Sequence, residues 1–321
     1  MQLVGSANAD VGIDAAWAVL TGGGSALDAV EVGVRAVEDN PEDHTVGYGG
    51  YPNIWGQVEL DASVMEGANR AAGAVGALQG YRGAVTVARA VLERLPHVLV
   101  VGAGAAQLAQ DIGLRAETLL TPEADSVWRA GLHRIRPSVE REPTTIQTVT
   151  DVIGEMFDPE RALEALPDVP RGGTVNLVAV DAEGHIASAV STSGWAWKYP
   201  GRLGDSPLIG AGNYCDDRYG AATCTGWGEL TIRSGTARSV VAELAAGLDL
   251  RSACLAAMQD LAGLEPGEPG VRGYVNVVAV DAAGNRCAMT TRAGTEYVWR
   301  SDEVDCSQRE GREVVTPWTA S

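Results

Sequence analysis

The spacing of apolar and polar positions changes several times along this chain, and each change predicts an element. Met1 to Asn8 reads as a short strand or extended entry. Two helices follow, over Val11–Leu20 and Ser25–Glu38. In the second, Ala26, Ala29, Val30, Val32, Val34 and Val37 make a largely apolar helix, and Ser25 with Asp28 three residues on forms a capping box with an acid in the glutamate position. Gln57–Met65 reads as a strand, Ala84–Leu95 as a helix, and Val98–Val101 as a short buried strand or the approach to a helix. From Leu119 to Gly172 six prolines and many charges interrupt any period, so this segment reads as an irregular, mobile linker.

The pattern then sharpens. Val175–Val180 is apolar apart from Asn176, Asp181-Ala182-Glu183-Gly184 turns the chain, and Ile186–Val190 is apolar again. This is strand, tight turn, strand. The strands do not alternate cleanly, so both faces should be covered and Thr174 should head a buried central strand. Trp195–Pro207 has no period and reads as a loop; Tyr219–Trp227 reads as a strand, Gly228–Ala246 and Ser252–Leu261 as helices. Tyr274-Val-Asn-Val-Val-Ala-Val-Asp-Ala-Ala-Gly then echoes Thr174-Val-Asn-Leu-Val-Ala-Val-Asp-Ala-Glu-Gly, which suggests matching hairpins in two stacked antiparallel sheets. Pattern alone gives an α+β fold.

With 321 residues and 45% hydrophobic content, the chain can form one large domain or two ordinary ones around a substantial core. Its formal charge of −18 argues against nucleic-acid or anionic-membrane partners. Against that background the single lysine, Lys198, and Arg202 four residues on are conspicuous. The start of the chain lacks a basic segment followed by an apolar one, so no signal peptide is expected, and no apolar run is long enough to span a bilayer. Cys215, Cys224, Cys254, Cys287 and Cys306 are odd in number without CxxC spacing, so reduced thiols in a cytoplasmic protein are expected, with no zinc site. His44, His97, His133 and His185 are scattered and read as ordinary surface or core residues. Gly102 and Gly104 after an apolar run imitate a dinucleotide fingerprint, but Gln107 stands where the third glycine belongs, so a nucleotide cofactor is not expected. The glycine-rich loop Val46–Pro52 is either a tight connection or part of a site.

Gly172-Gly173-Thr174 carries a chemical option. If the Gly173–Thr174 bond breaks, Thr174 gains a free α-amine beside its hydroxyl, with a pKa of roughly 7.7–8.0. That amine can take the hydroxyl proton and create a nucleophile without histidine or aspartate. Taken alone, a threonine that merely opens a core strand explains the same residues.

Further ordered blocks bear on that choice: GGTV at Thr174, STSG, GRLGDSP, TGWGE at Thr225–Glu229, and, earlier, GGGSALDAVE, VGYGGYP and LDASVMEG. Together they resemble the threonine-dependent N-terminal-nucleophile asparaginases, which include glycosylasparaginases and isoaspartyl peptidase/L-asparaginases. The resemblance covers nearly the whole chain. It implies a four-layer αββα sandwich, a single domain over 1–321 that cuts itself into 1–173 and 174–321, no cofactor or metal, and a dimer of such cleaved units. It implies Thr174 as nucleophile and base, Thr192 as the residue that orients it, and Thr225 and Gly226 as the oxyanion hole, with Gly228 close to the substrate. Arg202 and Asp205 would hold the substrate's α-carboxylate and α-ammonium; without the resemblance, a surface ion pair between the two is the better reading. The substrate would be a small aspartyl amide.

Two departures bear on the leaving group. Glycosylasparaginases have aspartate where this chain has Gly173, and a tryptophan beside the substrate where it has Ala7. Trp195, Trp197 and Trp227 are candidates to face the departing amine, favouring a bulky one over ammonia. A glycosylated asparagine is expected ahead of a β-aspartyl peptide; an uncleaved, silent scaffold is the reading from another class.

Overall fold

The computed structural model describes residues 1–135, 173–264 and 274–318. Thirteen strands among them form two sheets. The larger contains β1 (Gln2–Ser6), β2 (Leu60–Glu66), β3 (Ala72–Leu78), β4 (Leu99–Val101), β5 (Val175–Val180), β6 (Ile186–Thr192), β11 (Glu296–Ser301) and β12 (Gln308–Gly311). Their order is β12-β11-β1-β5-β6-β2-β3-β4, antiparallel except for β3 with β4. The smaller contains β7 (Asn213–Asp216), β8 (Gly220–Gly226), β9 (Val275–Asp281), β10 (Arg286–Thr290) and β13 (Glu313–Val314), in the order β13-β10-β9-β8-β7.

Helices α1 (Asp10–Thr21), α2 (Ala26–Glu38) and α3 (Ala84–Arg94) cover the outer face of the large sheet. There Ile13, Val30, Val34, Val87 and Val91 pack with Val64, Leu177 and Ala189. Helices α4 (Gly102–Asp111) and α5 (Pro122–Ile135) complete the first half of the chain. After β8 come α6 (Gly228–Ser234), α7 (Thr236–Ala245) and α8 (Leu250–Asp260). Val240, Val241, Cys254 and Met258 from α7 and α8 pack with Cys224, Val277 and Met289 on the outer face of the small sheet. Between the sheets lies a third cluster, with Val4, Met65, Val178 and Ile186 from one and Cys215, Ala221, Val278 and Val280 from the other. The alternation of each strand divides its side chains between these layers. The result is the αββα sandwich.

The two echoing stretches fall in different sheets, β5–β6 in the large and β9–β10 in the small. Thr174 heads β5, which lies between β1 and β6 in the middle of its sheet. The Ser25 capping box forms, with Asp28 N donating to Ser25 Oγ over 3.1 Å. Three expectations need correction. Pro122–Ile135, placed in the irregular linker, is a helix with Thr121 Oγ1 accepting from Ala124 N at 3.2 Å; the linker from 136 to 172, with its five later prolines, lies outside the described residues. The helix expected over 228–246 is two helices, broken where Gly235 takes φ +61°. Gly102 and Gly104 open α4 after an edge strand, β4, whose Leu99 and Val101 are exposed rather than buried.

Candidate active site

The site is assembled where β5 begins and β6 and β8 end. Alternation along β5 turns Asn176 and Val178 toward the inter-sheet layer, and Thr174 shares their side. On β6, Thr192 shares its side with Ile186. The outcome is a close group around one peptide carbonyl. Thr192 Oγ1 donates to Gly173 O over 2.6 Å, and Thr174 Oγ1 reaches the same oxygen at 2.8 Å. Thr192 Oγ1 also accepts the Gly194 N–H at 2.9 Å, which uses a lone pair and leaves its hydrogen for the carbonyl. Thr174 and Thr192 are both buried.

Gly173 has no room for a side chain. A Cβ there would lie 2.2 Å from Thr45 Oγ1. Thr45 Oγ1 in turn donates to Asp43 Oδ1 at 2.6 Å, and Asn8 Nδ2 donates to the other Asp43 oxygen at 2.8 Å. Thr45 O accepts the Ser193 N–H at 2.9 Å, so the loop beginning at Val46 leaves directly from the wall of the site. The loop's glycines are visible in the sequence, whereas Thr45 and Asp43 carry no signal, because nothing in their local spacing points from Thr45 128 positions ahead to Gly173.

Arg202 and Asp205 do not pair with each other. Arg202 is held by Glu229, with Nε on Oε1 at 2.9 Å and Nη2 on Oε2 at 2.8 Å, a bidentate fork. Its guanidinium also lies over Trp195, 4.7 Å from the ring centroid. The surface-pair alternative therefore fails; the partner is Glu229, the last residue of the TGWGE block. Asp205 is buried and accepts a hydrogen bond from Thr231 Oγ1 at 2.7 Å. Burial pushes its carboxyl up to about 6, against the opposing pull of Thr231 and the nearby Arg202. Gly228 opens α6 with its bare Cα against this residue: a Cβ would stand 2.7 Å from Asp205 N and 2.9 Å from Oδ1.

Thr225 and Gly226 end β8. The Trp227 N–H bonds Tyr274 O at 2.8 Å, and alternation along the antiparallel pair therefore turns the Gly226 N–H away from β9. It points to the side on which Cys224 N donates to Gly212 O at 2.9 Å. Pairing with β7 stops at Thr223, so Gly226 lies past the end of that strand. Thr225 Oγ1 accepts from Asn276 Nδ2 at 2.9 Å.

Of the three tryptophans, two stand at the site. Trp195 and Trp227 meet edge to face, with centroids 4.9 Å apart, and both are half-buried. Trp197 was expected beside them and is not. It is buried with Ile54 and Trp128, stacks on Tyr51, and donates Nε1–H to Trp128 O at 3.3 Å. The conspicuous Lys198 is a buried structural cation: Nζ lies 3.6 Å from Asp61 Oδ2 and 3.8 Å from Glu59 Oε2. Glu59 also accepts the Gly201 N–H at 3.1 Å, which fixes the turn just before Arg202. Ala7 sits in a 3₁₀ turn after β1 and is half-buried. Among the described residues no cluster of His, Cys, Asp or Glu could hold a metal, and no helix is long and apolar enough to cross a membrane.

The family model described as Asparaginase matches residues 6–305. An N(4)-(β-N-acetylglucosaminyl)-L-asparaginase from Elizabethkingia miricola is 39% identical over 244 residues, 76% of this chain and 64% of that enzyme. The protein of the same name from Mus musculus is 37% identical over 75% of this chain and 71% of its own length. The mouse isoaspartyl peptidase/L-asparaginase is 32% identical over 88% of this chain and 77% of its own. The chain belongs to the asparaginase family and has its N-terminal-nucleophile hydrolase fold. The match spans just under two thirds of the bacterial relative's length.

Proposed function

We propose that this protein is a self-processing amidohydrolase that releases aspartate from a substrate whose aspartyl unit has a free α-amine and α-carboxylate. The observation that carries the reading is the convergence of the Thr174 and Thr192 hydroxyls on the Gly173 carbonyl. In the processing step Thr174 Oγ bonds to the Gly173 carbonyl carbon and the C–N bond breaks, the hydroxyl proton passing to the departing nitrogen as the acyl group moves from nitrogen to oxygen. Water then cleaves the ester, leaving a carboxylate on Gly173 and a free amine on Thr174. Thr192 donates to the oxygen on which negative charge develops.

In the cleaved protein the new amine takes the Thr174 hydroxyl proton, and Oγ attacks the β-carbonyl of the substrate. Thr225 Oγ–H and Gly226 N–H receive the oxyanion. The departing amine takes a proton from the Thr174 ammonium, and water attacking the acyl-enzyme releases aspartate. Arg202 meets the α-carboxylate with the guanidinium edge that Glu229 does not occupy, and ionised Asp205 meets the α-ammonium. This chemistry uses no cofactor or metal. We place the protein in the cytoplasm as a dimer of cleaved units.

For the leaving group we favour an N-glycosylamine, making the activity that of an N4-(β-N-acetylglucosaminyl)-L-asparaginase. Trp195 and Trp227 form an aromatic wall beside Arg202 that suits a sugar face. The second reading is an isoaspartyl peptidase/L-asparaginase, favoured by Gly173, whose place beside Thr45 leaves no space for the aspartate of glycosylasparaginases. Competition of GlcNAc-Asn, β-aspartyl-leucine and free asparagine on the processed protein decides between them. Free asparagine should be slowest by kcat/KM. A tenfold or larger advantage for β-aspartyl-leucine, about 1.4 kcal/mol in transition-state binding, makes the enzyme an isoaspartyl peptidase.

A further inference from the structure

The second hairpin carries no nucleophile, since Tyr274 stands where Thr174 does in the first. It nevertheless contributes one polar row to the interior. Asn276 on β9 lies opposite Thr225 on β8 and opposite Thr290 on β10. Alternation puts Asn276 on the inter-sheet side of β9 with Val278 and Val280. All three residues of the row are buried.

Thr290 Oγ1 has one hydrogen and two acceptors in reach, Asn276 Oδ1 at 2.7 Å and Arg292 O at 3.1 Å; with the hydrogen on the shorter contact, the hydrogen bonds of the row run in one direction. The Arg292 N–H donates to Thr290 Oγ1 at 3.0 Å, and Thr290 Oγ1 donates to Asn276 Oδ1 at 2.7 Å. Asn276 Nδ2 then donates to Thr225 Oγ1 at 2.9 Å. A carboxamide has one face that only accepts and one that only donates. With Oδ1 turned to Thr290, its N–H must face Thr225. A hydroxyl whose lone pair is taken by that N–H cannot send its own hydrogen back toward Asn276, so the hydrogen is left for the cleft. With the amide turned over, Oδ1 would accept the Thr225 hydrogen and the oxyanion would lose a donor.

We propose that Asn276, held by Thr290, is a positioning residue that fixes the Thr225 hydroxyl as a hydrogen-bond donor to the developing oxyanion. The proposal rests on the reading of Thr225 as part of the oxyanion hole. It deepens that reading by giving the second hairpin a catalytic purpose and explaining why a buried amide interrupts an otherwise apolar strand. Pre-orientation of this kind acts on the transition state and leaves ground-state substrate binding largely alone.

The test is a double-mutant cycle on processed protein, with kcat counted per cleaved molecule and GlcNAc-Asn, or β-aspartyl-leucine if faster, as substrate. Asn276→Ala should lower kcat at least tenfold with KM changed less than twofold. Thr225→Ala should lower kcat at least as much. The double variant should lie within twofold of Thr225→Ala, because without the hydroxyl there is nothing to orient. Thr290→Val should reproduce the Asn276→Ala loss and Thr290→Ser should recover most of it. That pair supplies the comparison if Asn276→Ala fails to fold or to process. If the Asn276→Ala loss recurs in full on top of Thr225→Ala, or if Asn276→Ala and Thr290→Val match wild type, the positioning role is overturned while the Thr225 reading stands. If Thr225→Ala itself keeps wild-type kcat, the oxyanion reading falls and this proposal with it.

Discussion

The hydroxyl of Thr192 donates to the carbonyl oxygen of Gly173 over 2.6 Å, across 19 residues of sequence. In the self-cleavage we propose, the bond that breaks is thus polarised in the intact chain by a side chain that the Gly194 N–H has already oriented. Replacing Thr192 by Val removes this donor while keeping the volume. Loss of one oxyanion donor costs roughly 10²–10³ in rate, so Thr192→Val should cleave itself at least tenfold more slowly, and Thr192→Ser should recover most of the rate. Following both fragments by gel over days at neutral pH checks this; a Val variant that cleaves as fast as wild type contradicts it.

Arg202 is anchored to Glu229 and Trp195 rather than free in solvent, which in the proposed role leaves one fixed edge for the substrate carboxylate. Arg202→Ala should lower kcat/KM by about 2–5 kcal/mol, mostly through KM, with little effect on cleavage at Thr174. Wild-type protein should lose a comparable factor on an α-amidated substrate. Equal rates on free and α-amidated substrates would remove Arg202 from the anchor role.

Asp205 has a carboxyl raised by burial to about 6. A carboxyl raised in the folded state contributes stability below its unfolded pKa and loses it as pH rises through about 6, so ionised Asp205 is a strained charge that an ammonium relieves. In its proposed role Asp205 should therefore bind ligand more strongly as pH rises through about 6. One unit below that value roughly a tenth of the molecules carry the ion, and affinity for L-aspartate should be about tenfold weaker at pH 5 than at pH 7. The thermal shift produced by L-aspartate at the two values reads this out. A shift as large at pH 5 as at pH 7 would free the site from Asp205 ionisation.

Lys198 is the cation that faces two buried acids, Glu59 and Asp61, and burial pushes the Asp61 carboxyl up despite the lysine beside it. Lys198→Met leaves uncompensated charge in the interior. Breaking one side of a buried ion pair costs about 3–5 kcal/mol, enough to lower Tm clearly in a melt at pH 7. Since Glu59 also holds the Gly201 N–H, KM should rise as Arg202 loosens. An unchanged Tm would mean that the three groups are not charged together.

Much of this site was legible in sequence because its parts are punctuated. The Gly-Gly-Thr junction, the hairpin after it and the second copy at Tyr274 each carry a local signal, and β5 lies where an apolar run of mixed alternation should. Strand β3, with sequence AGAVGAL, was not legible: glycines and alanines lack the branched side chains that mark a strand, and only its packing against α3 shows why small residues are needed there. The polar β12, QREG, gives no apolar period at all. Pairings made across the fold were equally silent. Glu229 was visible as part of a motif yet not as the partner of Arg202, and Trp197 looked like its neighbour Trp195 until its φ of +57° and burial turned it into the core. Asn276 repeated Asn176 in sequence, but its purpose depends on register with β8, which no local pattern encodes.

The proposed catalysis depends on Thr174 becoming an N-terminus, and the intact mass of purified protein tests that most directly. From 33.4 kDa, cleavage between Gly173 and Thr174 predicts fragments of about 18 and 15 kDa that stay together in one folded unit, the smaller beginning Thr-Val-Asn-Leu. Thr174→Ala should remain a single chain without hydrolase activity. A wild-type protein that stays whole after days at neutral pH and still hydrolyses the aspartyl amide would contradict the account.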